Sequence, residues 1–176
     1  MLIKTVFSGF GGQGVLMMGY AFAVAAMWED KEVTYLPSYG AEVRGGTANC
    51  TVAISDEEIA SPIASSPDYA VVMNKPSLAA FQNKLHSGGV LFINSTMIDE
   101  VPSRKDIEVV NIDAGKLAEQ LGDMRTANMI MLGAFVRKTN LITLDNLVRS
   151  LEEIFDGKKK IIEMNAKALK NGYDFL

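Results

Sequence analysis

Apolar residues in this chain fall into short β-branched runs and longer helix-forming stretches, and the two kinds of segment take turns along its first half. Leu2 to Phe7 is a strand-like run that ends in Ser8-Gly9-Phe10-Gly11-Gly12-Gln13-Gly14, after which helix formers continue from Val15 to Trp28. Glu32 to Leu36 reads as a second strand, expected to stop at Pro37 because proline lacks the amide hydrogen that a central ladder uses. Strand, helix and strand together predict a parallel βαβ unit. Thr47 to Ile54 alternates strictly, with Ala48, Cys50, Val52 and Ile54 on one face. The connection back to Leu36 is too short for the crossover of about a dozen residues that a parallel pair needs, so this third strand is expected to be antiparallel.

Tyr69 to Met73 and Val90 to Ile93 flank a helical stretch from Pro76 to Leu85 and form a second βαβ unit; Ile107 to Ile112 adds a sixth strand. Helices are predicted over Ala114–Leu121, Met129–Lys138, Leu144–Phe155 and Lys160–Lys170. The expected fold is therefore α/β: a Rossmann-like, three-layer arrangement with a mixed, mostly parallel sheet and a helical C-terminal third. A chain of 176 residues with no internal repeat or long linker fits one domain over 1–176. The segment 62–67, framed by Pro62 and Pro67, is expected to be its most mobile loop.

Composition narrows the function. Lys plus Arg is 17 and Asp plus Glu 21, a net charge of -4 with pI near 5.1, which argues against general nucleic-acid binding. The longest apolar run, Val15 to Trp28, is shorter than the roughly 18 residues that suggest a membrane span. No basic stretch, apolar stretch and cleavage site opens the chain, so a cytoplasmic location is expected. Cys50 is the only cysteine, which excludes an internal disulfide, a thiolate zinc cage and a four-thiolate iron–sulfur site on this chain.

Gly9, Gly11 and Gly14 satisfy G-x-G-x-x-G between a strand and a helix, where backbone amides can gather an anion at the helix start. A dinucleotide site also wants an acidic residue closing the second strand, but that strand ends Tyr35-Leu36-Pro37-Ser38, and Asp30 and Glu32 fall at its beginning. No Lys-Ser/Thr pair follows the last glycine, so the loop is not a nucleotide-hydrolysing P-loop. Two readings stay open: an anion site, or glycines that only let the first helix approach the sheet. Gln13 favours the first, since packing does not require its donor and acceptor. Glu42 and Arg44, spaced alternately in the loop after the second strand, could point the same way, with Arg44 clamping a phosphate or carboxylate and Glu42 orienting it; a surface ion pair on a turn is the plainer alternative.

Gly9–Gly14 as G-x-G-G-Q-G, Pro37–Gly46 as P-x-Y-G-x-E-x-R-G-G, and the Asn128–Ala134 stretch NMIMLGA occur in an order that resembles the gamma subunit, or gamma domain, of the 2-oxoacid:ferredoxin oxidoreductases. The resemblance spans essentially the whole chain. It implies a subunit of a complex that oxidatively decarboxylates a 2-oxoacid such as pyruvate or 2-oxoglutarate to acyl-CoA and CO2, with electrons passing to ferredoxin and no activity in the isolated chain. Thiamine diphosphate, magnesium and the iron–sulfur clusters are then expected on partner subunits (alpha, beta and, as a further candidate, delta), with coenzyme A as co-substrate and no cofactor or metal on this chain. No catalytic residue is assigned. The expected anion- or ligand-binding set is Gly9, Gly11, Gly12, Gln13, Gly14, Tyr39, Glu42 and Arg44. An independent nucleotide-binding oxidoreductase and a non-catalytic scaffold or regulatory module are the alternatives.

Other residues have plainer roles. His86 is expected to cap the preceding helix, and Asn128 to cap its own. Cys50 should be a buried apolar group, and Met124, Met129 and Met131 core filling. Lys158, Lys159 and Lys160 should form a solvated turn at a helix start.

Overall fold

The first strand, β1 (Leu2–Phe10), leads through the glycine loop into α1 (Val15–Met27) in the computed structural model, which describes residues 1–39 and 47–176 apart from the Tyr39 side chain. There follow β2 (Glu32–Tyr39), β3 (Thr47–Ser55), β4 (Tyr69–Val72), α2 (Lys75–Phe81), β5 (Val90–Asn94), β6 (Glu108–Ile112) and α3 (Ala114–Leu121). A 3-10 turn over Met124–Thr126 runs into α4 (Ala127–Thr139), then α5 (Leu144–Ile154) and α6 (Lys159–Phe175). Among the described residues no helix is long and apolar enough to cross a membrane.

The six strands lie in the order β2-β3-β1-β4-β5-β6, with β3 antiparallel to both neighbours and the β1-β4-β5-β6 half parallel. The mixed, mostly parallel sheet and the antiparallel third strand are as the alternation predicts. The first βαβ unit is different in detail: β1 and β2 run the same way, but β3 inserts between them, so they never pair. Pro37 does not end β2 either. It sits opposite Cys50, and the ladder continues to Tyr39 opposite Ala48. Because β2 is at the sheet edge with one neighbour, a residue without an N–H is tolerated there.

Other boundaries moved for local reasons. β1 runs three residues further than its apolar pattern, because Ser8, Gly9 and Phe10 still pair with Asn49, Ala48 and Thr47. α2 ends at Phe81, short of Leu85; Arg104 Nη1 donates to the carbonyls of Gln82 and Leu85, which relieves the chain of the need to continue the helix. His86 is consequently not at a helix end, and its Nε2 faces Asp68 Oδ1 at 3.1 Å. Within 62–67, the Ile63 carbonyl accepts from Lys4 Nζ at 2.5 Å.

α1 is apolar on nearly every side, the pattern of a helix buried all round, and nine of its residues are buried. With α4, α5 and α6 it forms the main core on one face of the sheet, centred on Phe7, Phe22, Phe92 and Phe135. On the opposite face, Leu78 of α2 and Leu85 pack with Ala70, Val72, Leu91, Ile93 and Ile98. Met129 and Met131 are buried core, whereas Met124 is 58% exposed.

Cys50 lies in the core with its Sγ 3.5 Å from Val15 O, and burial pushes the thiol up to about 12. A group whose folded pKa lies above its unfolded value stabilises the fold below the unfolded pKa, here about 9, and that contribution is lost as pH rises from about 9 to about 12. The native chain should therefore resist iodoacetamide at pH 9 and react promptly once denatured; equally fast alkylation of the native chain would contradict this burial.

Candidate functional site

In an open α/β sheet ligands settle beyond the carboxyl ends of the strands, where successive connections leave in opposite directions. That point lies beside β1: the chain goes from β1 through α1 toward the β2-β3 edge, while β4, β5 and β6 are laid down on the other side. The glycine loop sits there. Gly9 is buried within β1, Gly11 and Gly12 are exposed at the turn, and Gln13 and Gly14 are half-buried. Gly12 and Gly14 have φ of 100° and 72°, left-handed values that glycine adopts without penalty, and Gly14 is the N-cap of α1 with no side chain to satisfy its first amides.

The Gln13 side chain turns inward. Its Oε1 accepts from Phe10 N at 2.7 Å and from Asn74 Nδ2 at 2.9 Å, and its Nε2 faces Met73 O at 3.5 Å. Asn74 Oδ1 in turn accepts from Ser77 N, capping α2, and Ser77 Oγ bonds Ser8 Oγ. From the other side Asn128 Nδ2 donates to Gly14 O at 3.2 Å. Asn128 is thus not the cap of α4, whose N-cap is Thr126; it lies in the first turn and holds the loop. The amide that pointed to ligand recognition in the sequence is engaged as a brace between the ends of β1 and β4.

A cavity of about 260 Å³ opens beside this brace, lined by Gly12, Gln13, Met73, Asn94, Thr96 and Asn128 among others. Thr96 Oγ1 accepts from Gly115 N at 2.9 Å and donates to Asp113 Oδ1 at 2.6 Å, fixing the start of α3 at the cavity wall. Beyond Gly14 and Asn128 lies a second groove of about 500 Å³, bounded by Met17, Phe155, Ile161 and Met164 with Lys160 at its side. Arg125 borders both, its guanidinium held in a two-point pair with Asp123, whose carboxyl it pulls down to about 2.

Of the remaining expected site residues, the Tyr39 side chain, Glu42 and Arg44 lie outside the described residues. Their flanks do lie at the same end of the sheet as the glycine loop, since Thr47 pairs with Phe10 and the Tyr39 backbone with Ala48. β2 closes on Ser38 and Tyr39, with Glu32 at its opposite end, so the ribose-binding carboxylate of a dinucleotide site is missing there. Asn74, Asn94 and Thr96 were not picked out by sequence. The available signal was an asparagine closing each of two apolar runs, YAVVMN and VLFIN, at the strand ends where crevices form.

Comparison with known proteins agrees with the fold. The family described as pyruvate ferredoxin/flavodoxin oxidoreductase matches residues 4–175. Ketoisovalerate oxidoreductase subunit VorA of Methanothermobacter thermautotrophicus is 37% identical over 98% of this chain, which spans only 36% of that relative's length. The 2-oxoglutarate synthase subunit KorC of Methanocaldococcus jannaschii is 31% identical over 95% of this chain and 90% of its own. The crystal structure of pyruvate oxidoreductase subunit PORC from Thermotoga maritima superposes with a TM-score of 0.82 at 29% identity, covering 98% of this chain and 96% of that one.

Proposed function

The chain belongs to the pyruvate ferredoxin/flavodoxin oxidoreductase family, and from that premise we propose that it is the gamma component of a multi-subunit 2-oxoacid:ferredoxin oxidoreductase, with residues 1–176 acting as one gamma-type domain. The complex converts a 2-oxoacid and coenzyme A to acyl-CoA and CO2 and passes two electrons to ferredoxin. The observation that carries this reading is the match over residues 4–175, supported by a KorC subunit that the chain covers over 90% of its length. It works in the cytoplasm with alpha and beta subunits, and with a delta subunit where one exists.

Thiamine diphosphate, magnesium and the iron–sulfur clusters reside on those partners. Cluster ligation calls for several thiolates, and this chain has one cysteine, buried and protonated. Its own contribution is recognition. Gly11, Gly12 and Gly14 present backbone amides at the positive end of α1, worth about 0.3–1 kcal/mol to a nearby anion, and up to about 2 in a partly buried setting. Gln13 is a positioning residue that holds those amides against β4. Tyr39, Glu42 and Arg44 complete the surface, Arg44 supplying a fork of donors and Glu42 its orientation. Together they face the shared active site or the nucleotide end of coenzyme A.

Purification of the chain from its native source should bring down partners that carry thiamine diphosphate and clusters; a solitary chain that turns over substrate with its own bound dinucleotide would overturn the reading. In the reconstituted complex, Arg44→Ala should raise the KM for coenzyme A or the oxoacid roughly tenfold, the scale of one charge-assisted hydrogen bond. Unchanged kinetics in an intact assembly would remove Arg44 from the site.

A further inference from the structure

Two side-chain amides meet at the root of the glycine loop, and main-chain donors fix which way each must face. Phe10 N, at the end of β1, donates to Gln13 at 2.7 Å, so the end of Gln13 turned toward it has to be the oxygen, Oε1. Ser77 N, in the first turn of α2, donates to Asn74 at 2.9 Å, so the end of Asn74 over α2 is likewise the oxygen, Oδ1. With both oxygens assigned, Asn74 Nδ2 is left facing Gln13 Oε1 at 2.9 Å, a donor against an acceptor. Turning either amide round would leave a main-chain N–H without an acceptor and set like ends against each other.

This arrangement asks for a carboxamide and nothing else at position 74. Aspartate or serine would still cap α2, because either offers an oxygen to Ser77 N, but neither an ionised carboxyl nor a short hydroxyl presents an N–H to Gln13. Asn74 is 2% exposed, and Ser8 and Ser77, whose hydroxyls bond each other at 2.9 Å, are buried with it, so solvent does not stand in for a lost partner. Room for the amide is built in as well. A Cβ on Gly9 would lie 2.7 Å from Gln13 Oε1, so the first glycine of the loop leaves the space that the side chain fills. The neighbouring Lys75 is drawn away to Asp99 at 2.6 Å.

We propose that Asn74 is a positioning residue for the glycine loop, its carbonyl end capping α2 while its N–H end holds Gln13 Oε1 on Phe10 N, so that the turn through Gly11 and Gly12 is set against the second βαβ unit. The assignment rests on the reading of that loop as ligand-facing. It adds the residue, sixty-one positions from Gln13, that fixes the loop's geometry.

Three variants of the reconstituted complex test it, read as KM and kcat for coenzyme A and the oxoacid. Asn74→Ser keeps the α2 cap and loses the donor; it should raise one of the two KM values about fivefold, the scale of one neutral hydrogen bond, with kcat within about twofold of native. Asn74→Asp should raise the same KM at least about tenfold near pH 8, where a carboxylate meets Gln13 Oε1. That defect should ease as pH falls, because a protonated carboxyl has an O–H to donate and burial favours the protonated form. A residue that only fills space would show no such recovery. Gly12→Val puts a β-branched residue at φ of 100° and disturbs the loop directly. A raised KM in Gly12→Val with native values in both Asn74 variants would overturn the role of Asn74 and leave the ligand-facing loop standing. Native KM values in all three, in intact assemblies, would remove the loop itself from the site. A loss of kcat without a change in KM, an Asn74→Asp defect that persists at low pH, or failure of both Asn74 variants to assemble would make Asn74 purely structural and overturn the assignment.

Discussion

Gly172→Ala is expected to destabilise the chain by about 3 kcal/mol or more, at the upper end of what overpacking costs. α4 and α6 cross with their backbones nearly in contact. A Cβ at Gly172 would lie 1.9 Å from Ile130 O, and one at Gly133 would lie 2.0 Å from Leu169 O. Both obstacles are main-chain carbonyls held in helices, so no side-chain rotation relieves them and the helices must separate. Separation has a consequence at the site, because α4 begins one residue before Asn128, whose amide holds Gly14. Urea denaturation followed by circular dichroism should show the loss, and the melting temperature should fall by roughly 6 °C or more at about 2–4 °C per kcal/mol for a chain of this size. A midpoint equal to that of the native chain would mean that the crossing is wider than described.

Phe135→Ala should cost about 4 kcal/mol. Phe135 is fully buried in α4, and its ring meets those of Phe92, Phe22, Phe7 and Tyr69 at centroid distances of 5.2, 5.3, 5.6 and 5.7 Å, edge to face in each case. Alanine removes the apolar area and leaves a cavity, and also forfeits four ring contacts that favour this edge-on geometry. The partners come from β1, α1, β4 and β5, so the neighbours cannot collapse into the gap without moving the sheet or α1. Phe135→Leu, which keeps most of the volume, should lose less than half as much. Comparable unfolding midpoints for the two variants would show that ring geometry, and not volume, dominates at this position.

Both effects act on the same scaffold as the candidate site, which explains how unevenly that site can be read from residues alone. The glycine loop, the strand-to-helix transition and the antiparallel β3 were legible because they depend on neighbours in sequence: glycine permits the turn, and a connection of ten residues is too short for a crossover. The missing acid at the end of β2 was legible too, since it is a matter of residue identity at a strand end. Gln13 was not. Its identity was conspicuous, but its partner Asn74 lies sixty-one residues away, and only the pairing of β1 with β4 brings the two together. Pro37 was misread as a strand end because its tolerance depends on β2 having a single neighbour, a property of the sheet order.

Local chemistry therefore determined the elements, their apolar faces and the glycine loop between β1 and α1. The assembled chain decided the rest: β3 between β1 and β2, Gln13 as a brace, and Asn94 and Asn128 facing one cavity from strand and helix. Those outcomes depend on hydrogen bonds and contacts between residues far apart in sequence, whose donors and acceptors find each other only after the sheet and the α4–α6 crossing have formed.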